Sequence, residues 1–542
     1  MPRPADRRTA RGTAALAIAA AIAFAATATP LARDMTGRVV GPDGAGVGAI
    51  FVTAARAGTA ASYSVLTSAD GTFDLGALPP GEYTVTAHGA GFSPAERTVR
   101  AGDASPAEFR LEPREVELSE LPAIVFLAML PDGVEKRRFI LDCTGCHVFN
   151  ETTAMPGGQP RTRAGWVDAV SRMLDMAGPN SSFPVMSIGR EPESTAAFLT
   201  ESLASLDPAN TAFAIHRRPT AAASDAVITE YAIPAPMDLP HDLAVQADGT
   251  VVITGMFTHR MYVLDPGAAT FATVTIPVAN ANPRAVEIDQ AGRWWVLLGG
   301  PQRVARYDPA GGTWDSWPIG MYPHSIGIAE DDRVWFNGHF TRMPELIGWL
   351  DPDGTVVTDT VPLHPRASEG FGPIPYELRM GPDGRVWVSE LAGNRVFAYD
   401  PAADRYRVWD MPTPFAGPRR LDVGSDGVVW IPEYASSALA RLDPATGAID
   451  EFPLPIPDAA PYIARVDPRT GAVWIGTGSA DAILRFDPAT RRFDTFPLPT
   501  RGAMIRHMAI DSRTGDVWVA YGASPGIPSK VARIRVGAAT NR

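Results

Sequence analysis

Hydrophobic and polar positions alternate with a period of two between residues 34 and 113. Stretches such as Ile50-Phe51-Val52 and Tyr83-Thr84-Val85-Thr86 are short, and Gly, Pro and Asp residues separate them. Short alternating segments with frequent turns are typical of strands that bury one face. The pattern therefore predicts a small β-sandwich over residues 34–113.

The pattern becomes helical between residues 134 and 206. Trp166, Val170, Met173 and Leu174 recur at intervals that place them on one face of a helix. A segment of mixed pattern, residues 207–225, connects this unit to the rest of the chain. We therefore predict an α-helical domain over residues 134–206.

The remaining residues, 226–536, form a repeat array. Asp-Pro pairs recur at spacings of 43, 43, 49, 43 and 44 residues, and Trp residues recur between them. A period near 43 residues with four short strands per unit is typical of a propeller blade. A marker at the start of each unit counts seven blades: His241, Arg284, His324, Tyr376, Arg419, Tyr462 and Arg506.

One strand at the start of the array has no unit of its own. Residues 228–234 precede the first marker, whereas the last unit ends near Val536 with three strands. We infer that the early strand completes the last blade, because closure removes the exposed sheet edges of an open solenoid, which is the alternative. The predicted fold class is multidomain and mainly β, with a sandwich, an α-helical domain and a seven-bladed β-propeller.

Composition and charge narrow the function classes. The 542 residues are 45% hydrophobic and 20% charged, which indicates a globular protein. The net charge is −12 and no basic stripe is present, which excludes a nucleic-acid partner.

The first 32 residues have the features of a secretory signal peptide. Arginines precede an Ala-rich apolar run, and Ala26-Thr27-Ala28 forms a cleavage site, with Leu31-Ala32 as a second choice. The run is too short to span a membrane comfortably, which argues against an uncleaved anchor. We expect a periplasmic or secreted protein with no transmembrane segment in the mature chain.

The two cysteines of the chain lie in one C-x-x-C-H motif, residues 143–147. This is the attachment signature of c-type haem, in which two thiols bind the porphyrin and the adjacent His binds the iron. A zinc site would need further ligands, and a disulfide oxidoreductase would need a thioredoxin-like strand-to-helix setting. The sequence predicts one covalent haem c on Cys143 and Cys146, with His147 on the iron.

The second axial ligand is predicted from a resemblance. Met155, Met173, Met176 and Met186 are the available methionines. The segment 163–173 resembles the Trp-x-x-x-Val-x-x-Met helix of small cytochrome c domains, which occur in quinohaemoprotein amine dehydrogenases. The resemblance implies Met173 as the ligand, with Met176 and Met186 as alternatives. Ligation by His and Met suits electron transfer.

The N-terminal segment resembles the carboxypeptidase regulatory-like domain. The resemblance rests on Thr36-Gly37-Arg38-Val39, on Asp70-Gly71-Thr72-Phe73 and on residues 78–83. It implies a transthyretin-like sandwich that serves as an accessory module, and we find no catalytic constellation in it.

The repeat array resembles streptogramin lyase (virginiamycin B lyase) in residues 322–328, 384–390 and 449–455. That family is a seven-bladed propeller that opens a lactone ring by elimination, with a catalytic His, acidic residues and magnesium. The resemblance implies catalytic roles for His241 and His324, which match a Pro-His element, and for Glu390 and Glu433, which match Trp-x-x-Glu. The two elements fall in different blades of this chain.

The seven blade markers also indicate a site from their positions alone. Equivalent residues of the innermost strands converge at one mouth of a propeller channel. The ring consists of His241, Arg284, His324, Tyr376, Arg419, Tyr462 and Arg506. Such a donor-rich ring suits an anionic ligand. The alternatives are a purely structural ring and a metal site on the two histidines, and we expect Glu390, Glu433 and His339 one layer outward.

The leading functional hypothesis is an exported electron-transfer protein. Its haem exchanges electrons with a redox partner protein, or with a small, anionic substrate at the propeller mouth. One alternative is a streptogramin lyase-like carbon–oxygen lyase with the haem domain as an appendage. The other is a non-enzymatic binding protein that uses the propeller mouth.

Overall fold

The structure, a computed structural model, describes most of the chain. The described residues are 34–102, 106–179, 181, 184, 186, 189–204, 221–339, 344–367, 374–522 and 527–537. The predicted signal peptide, residues 1–32, lies outside them. None of the described helices is long and apolar enough to cross a membrane.

The N-terminal segment folds into a β-sandwich. Its strands are β1 (Asp34–Val40), β2 (Phe51–Ala55), β3 (Ala61–Leu66), β4 (Thr72–Ala77), β5 (Glu82–His88), β6 (Phe92–Ser93), β7 (Ala95–Arg100), β8 (Ala107–Arg110) and β9 (Glu112–Pro113). One sheet has the order β4-β1-β8, and strands β3-β2-β5-β7 form the other. Alternate apolar residues such as Val39, Val52 and Val85 are buried in a shared core, as the period-two pattern predicts.

The α-helices of the described chain follow the sandwich. They are α1 (Ile124–Leu127), α2 (Val134–Cys143), α3 (Glu151–Ala154), α4 (Arg163–Ala177) and α5 (Pro192–Ser202). The Thr162 side chain caps α4 by accepting a hydrogen bond from the Gly165 amide. The predicted face of α4 is buried at Trp166 and Val170, but only partly covered at Met173.

The repeat array forms seven four-stranded blades, six of them separate sheets. The first three are β11 (Pro240–Val245), β12 (Val251–Gly255), β13 (Arg260–Asp265) and β14 (Thr270–Thr275); β15 (Pro283–Ile288), β16 (Trp294–Leu298), β17 (Arg303–Asp308) and β18 (Thr313–Pro318); β19 (Pro323–Ile328), β20 (Val334–Gly338), β21 (Leu346–Leu350) and β22 (Val356–Thr360). The next three are β23 (Pro375–Met380), β24 (Val386–Glu390), β25 (Arg395–Asp400) and β26 (Arg405–Asp410); β27 (Asp422–Val423), β28 (Val429–Glu433), β29 (Ala438–Leu442) and β30 (Ile449–Pro453); β31 (Pro461–Val466), β32 (Val473–Thr477), β33 (Ala482–Asp487) and β34 (Arg492–Pro497).

The seventh sheet joins the two ends of the array. It contains β35 (Ile505–Ile510), β36 (Val517–Tyr521), β37 (Lys530–Val536) and the early strand β10 (Ala226–Ala232). Strand β10 pairs antiparallel with β37 along its whole length, so the strand inferred from sequence does close the ring. Its other edge pairs with β3 of the sandwich, from Ile228 opposite Ser64 to Tyr231 opposite Ala61. The last blade and one sandwich sheet therefore form one continuous eight-stranded sheet.

The helical segment lies over the propeller face where the innermost strands begin. Lys136 Nζ is 2.8 Å from Asp458 Oδ2, and the Arg137 Nε donates to the Pro414 carbonyl at 2.8 Å. The Leu141 side chain packs so close to Gly417 that a Cβ there would lie 2.2 Å from it. Ion pairing, hydrogen bonding and close packing thus fix the helices on the propeller.

Candidate functional site

The C-x-x-C-H motif forms the turn that ends α2. The Thr144 hydroxyl donates to the Ile140 carbonyl at 2.8 Å and tightens the last helical turn. Both cysteines are free thiols, with Cys146 exposed and Cys143 partly buried. Burial, helped by the neighbouring Asp142 carboxylate, raises the pKa of Cys143 to about 12. His147 directs Nδ1 toward the Val148 carbonyl at 3.2 Å, an arrangement that leaves Nε2 for a ligand.

Side chains of the propeller donate hydrogen bonds to the backbone carbonyl groups of this turn. Arg506 donates from Nη2 to the Cys146 carbonyl at 2.7 Å and from Nη1 to the Gly145 carbonyl at 3.3 Å. The Tyr434 hydroxyl donates to the Thr144 carbonyl at 2.8 Å. A Cβ on Gly145 would lie 3.3 Å from Arg419 Nη2, so the turn sits directly against a second arginine.

The seven marker residues converge at one end of the propeller channel, and the C-x-x-C-H turn of the helical segment contacts two of them, Arg419 and Arg506. Each has a side chain that is no more than 6% exposed: His241, Arg284, His324, Tyr376, Arg419, Tyr462 and Arg506. The ring predicted at the propeller mouth is therefore buried. Sequence reasoning placed the helices and the ring separately, and only their packing reveals that one covers the other.

One side of the ring is an arginine surrounded by tyrosines. The Arg419 guanidinium lies 4.7, 4.1 and 3.7 Å from the ring centres of Tyr376, Tyr434 and Tyr462. It also donates to the Tyr376 hydroxyl at 2.8 Å, and the Tyr376 and Tyr462 hydroxyls are 2.6 Å apart. Burial raises the pKa of Tyr376, whereas the charges of the neighbouring arginines, Arg419 first, outweigh burial and lower the pKa of Tyr462. The faces of the aromatic rings stabilise the buried cation.

The other side of the ring is a histidine cluster. The ring centres of His241 and His324 are 5.3 Å apart, and those of His324 and His339 are 4.3 Å apart. His339, which directly follows β20, therefore lies beside His324. The ring of Tyr376 packs against the rings of both His324 and His339. Burial, and then nearby arginines and histidines, lower the pKa of His241 and His324 well below the ordinary value, so both are neutral at pH 7.

A network of buried charges fills the channel beneath the ring. Arg420 donates to Asp242 Oδ1 at 2.8 Å, and Arg465 donates to Glu377 Oε1 at 2.7 Å. His507 Nε2 is 3.5 Å from Asp242 Oδ2. Sequence reasoning missed this layer, although most of its members directly follow a blade marker in the chain.

The two glutamates predicted from the lyase resemblance have partners of their own. Glu390 receives Arg395 Nε at 2.6 Å, and burial raises the pKa of Glu390 to about 7. Ser436 donates to Glu433, and burial together with a hydrogen bond to Glu451 raises the pKa of Glu433 to about 9. No ion pair or hydrogen bond among the described residues joins either carboxyl group to His241 or His324. No described group of three His, Cys, Asp or Glu residues is arranged to hold a metal ion.

Glu433→Gln is expected to reduce the pH dependence of stability. The raised pKa means that the folded state keeps a proton which the unfolded state releases above pH 4.5. Stability from this group is full below pH 4.5 and is lost as the pH rises toward 9. The contribution of Glu433 to the free energy of unfolding falls by at most about 1.4 kcal/mol per pH unit. Melting temperatures from pH 5 to 8 should fall less in Glu433→Gln than in wild type, whereas exposed Glu330→Gln should match wild type. If the melting temperatures of all three proteins fell equally with pH, the raised pKa of Glu433 would be contradicted.

Comparison with known proteins gives matches for the N-terminal β-sandwich and for the propeller. The chain is a multidomain, mainly β protein in which an N-terminal β-sandwich is followed by a propeller whose mouth is covered by helices. Residues 34–112 match the carboxypeptidase regulatory-like domain, and residues 360–539 match the virginiamycin B lyase family. Two of the three resemblances seen in the sequence are thereby confirmed, and the third, to small cytochrome c domains, stays a prediction.

Solved structures give the same fold for the propeller. A streptogramin B lyase structure is 20% identical, with a TM-score of 0.51, and covers 57% of this chain and 98% of that chain. A catalytically inactive virginiamycin B lyase from Staphylococcus aureus with quinupristin is 18% identical, with a TM-score of 0.51, and covers 57% of this chain and 99% of its own. These likenesses show the fold alone. No curated protein matches the chain.

Proposed function

We propose that the protein is an exported, mono-haem c-type electron-transfer protein whose haem-bearing turn is docked on a virginiamycin B lyase-like propeller. The observation that carries the proposal is the turn itself. Two free thiols three residues apart end a helix, and the following His147 has Nδ1 on a carbonyl and Nε2 uncommitted. These are the groups that a covalent haem requires. When bound, the haem supplies a one-electron carrier.

The chain's own residues would hold and shield this group. Cys143 and Cys146 would form the thioethers, and His147 would supply the proximal imidazole. Met173 lies at the end of the α4 face, which the rest of the protein covers only partly. A haem would have space to pack against this end of the helix. Met176 is 66% exposed and Met186 only 4% exposed. We propose Met173 as the distal ligand, with Met176 and Met186 as alternatives.

The test is the visible spectrum of the full-length chain, exported from a host that attaches c-type haem. We expect one haem per chain, retained on denaturing gels and seen by haem peroxidase staining. A colourless protein from such a host would overturn the proposal.

Met173→Ala is expected to abolish the thioether-to-iron absorption band of the oxidised protein. The covalent haem should remain, because the two thioethers do not depend on the distal ligand. Exposed Met237→Ala is the matched control, since Met237 is 59% exposed and lies in the propeller. If Met176→Ala or Met186→Ala removes the band instead, the distal ligand is that methionine.

A second candidate function is carbon–oxygen lyase activity, which the family match over residues 360–539 favours. His241 and His324 would act as acid or base, and magnesium would be the cofactor. The separate partners of Glu390 and Glu433 weigh against this reaction at the ring. The test is linearisation of a streptogramin B antibiotic by the full-length protein in the presence of magnesium. Turnover that His324→Ala abolishes would support the lyase.

A further inference from the structure

Two propeller arginines contact the C-x-x-C-H turn from below. Arg506 donates to the carbonyls of both Gly145 and Cys146, and Arg419 Nη2 reaches the Gly145 carbonyl at 3.5 Å. The Cys146 carbonyl belongs to the peptide group that connects to His147. A full positive charge is therefore one peptide unit from the residue proposed to bind the iron.

Both charges are buried, and no counter-ion faces them in the part of the chain that the structure describes. Arg419 is 3% exposed and Arg506 is 5% exposed. Among the described residues, no carboxylate forms an ion pair with either arginine, and the Nε atoms of both have no hydrogen-bond partner. The carboxylates of the channel, Asp242 and Glu377, are bound by Arg420 and Arg465 instead. Salt and water screen buried charges less than exposed ones, so the field of these two arginines at the turn is stronger than that of surface arginines at the same distance.

A purely structural contact would not need these charges. A neutral amide donor satisfies a carbonyl acceptor without the cost of removing a guanidinium from water, which is several kcal/mol per ion. Burying two cations against one turn, with neutral histidines and tyrosines around them, raises the local electrostatic potential. A raised electrostatic potential favours the reduced state of a neighbouring redox group, because that state carries one more electron.

Resting on the proposed haem function, we propose that Arg419 and Arg506 are electrostatic positioning residues, which fix the C-x-x-C-H turn and raise the reduction potential of the haem it carries. In a haem-loaded chain the redox partner protein would supply one electron, no covalent bond would form or break, and the guanidinium groups of Arg419 and Arg506 would favour the reduced state. The propeller thereby tunes an electron carrier that is covalently attached to another part of the chain.

The test is a spectroscopic redox titration of the haem-loaded, full-length protein. Arg506→Gln keeps a donor but removes the charge, and we expect about a tenfold fall in the ratio of reduced to oxidised haem at a fixed potential, equivalent to about 59 mV for one electron. Arg506→Lys keeps the charge and should retain most of the wild-type potential. Arg485→Gln is the control, because Arg485 pairs with Asp494 on the outer part of its blade.

The outcomes separate this inference from the proposed function. A wild-type protein without covalent haem overturns both. Haem-loaded Arg506→Gln with the wild-type potential overturns the inference alone, as does an equal shift in Arg506→Lys and Arg506→Gln, since a structural role would then suffice. If Arg506→Gln does not fold, Arg419→Gln takes its place, and the same field predicts a shift in the same direction.

Discussion

The double variant Cys143→Ala/Cys146→Ala is expected to lose all covalently bound haem. The thioether bonds require both sulfur atoms, and these are the only cysteines of the chain. Haem peroxidase staining of a denaturing gel should show a band for wild type and none for the double variant. Each single variant should retain one thioether at most and stain weakly.

The propeller is the internal control for this experiment. Its sheets contain no cysteine, so the double variant should keep the β-sheet circular dichroism of wild type. A haem band that persists without both cysteines would contradict the proposed attachment. Loss of the band together with loss of fold would instead show that the turn is needed for folding, and Met173→Ala would then decide the haem assignment.

Glu377→Gln is expected to cost about 3–5 kcal/mol of the free energy of unfolding. Glu377 is 1% exposed and accepts Arg465 at 2.7 Å, while Arg379 Nε is 3.2 Å away and Arg420 Nη1 is 3.4 Å away. Burial opposes ionisation, but these three arginines hold the pKa of Glu377 below its ordinary value. The glutamine keeps the shape and removes the charge, so buried Arg420 and Arg465 and partly buried Arg379 lose a shared counter-ion.

Urea unfolding followed by tryptophan fluorescence measures this effect, because six of the seven blades carry a buried tryptophan, such as Trp335 and Trp387. The control Glu330→Gln, at an exposed residue on a surface turn of the propeller, should unfold at the same urea concentration as wild type. An unchanged midpoint for Glu377→Gln would mean that Asp242 and the other channel carboxylates already balance the charges.

The sequence alone defined the parts of this protein that depend on local periodicity. A repeat near 43 residues predicted seven blades, and the strand near Ile228 predicted ring closure, because each blade must complete four hydrogen-bonded strands. The helical face of Trp166 and Val170 and the C-x-x-C-H motif were equally visible. In each case the information lies within a short segment, where side-chain spacing reports which face is buried.

Tertiary structure alone decided how those parts combine. The pairing of β10 with β3 uses backbone hydrogen bonds, which leave no side-chain signature in the sequence. Contacts among the ring residues follow the blade repeat, yet Arg419 and Arg506 also contact a turn that comes more than two hundred residues earlier in the chain. The contact of Arg506 with the Cys146 carbonyl spans 360 residues. Charge, burial and partners at this site follow from long-range packing, and the periodicity of one segment carries no information about the segment that covers it.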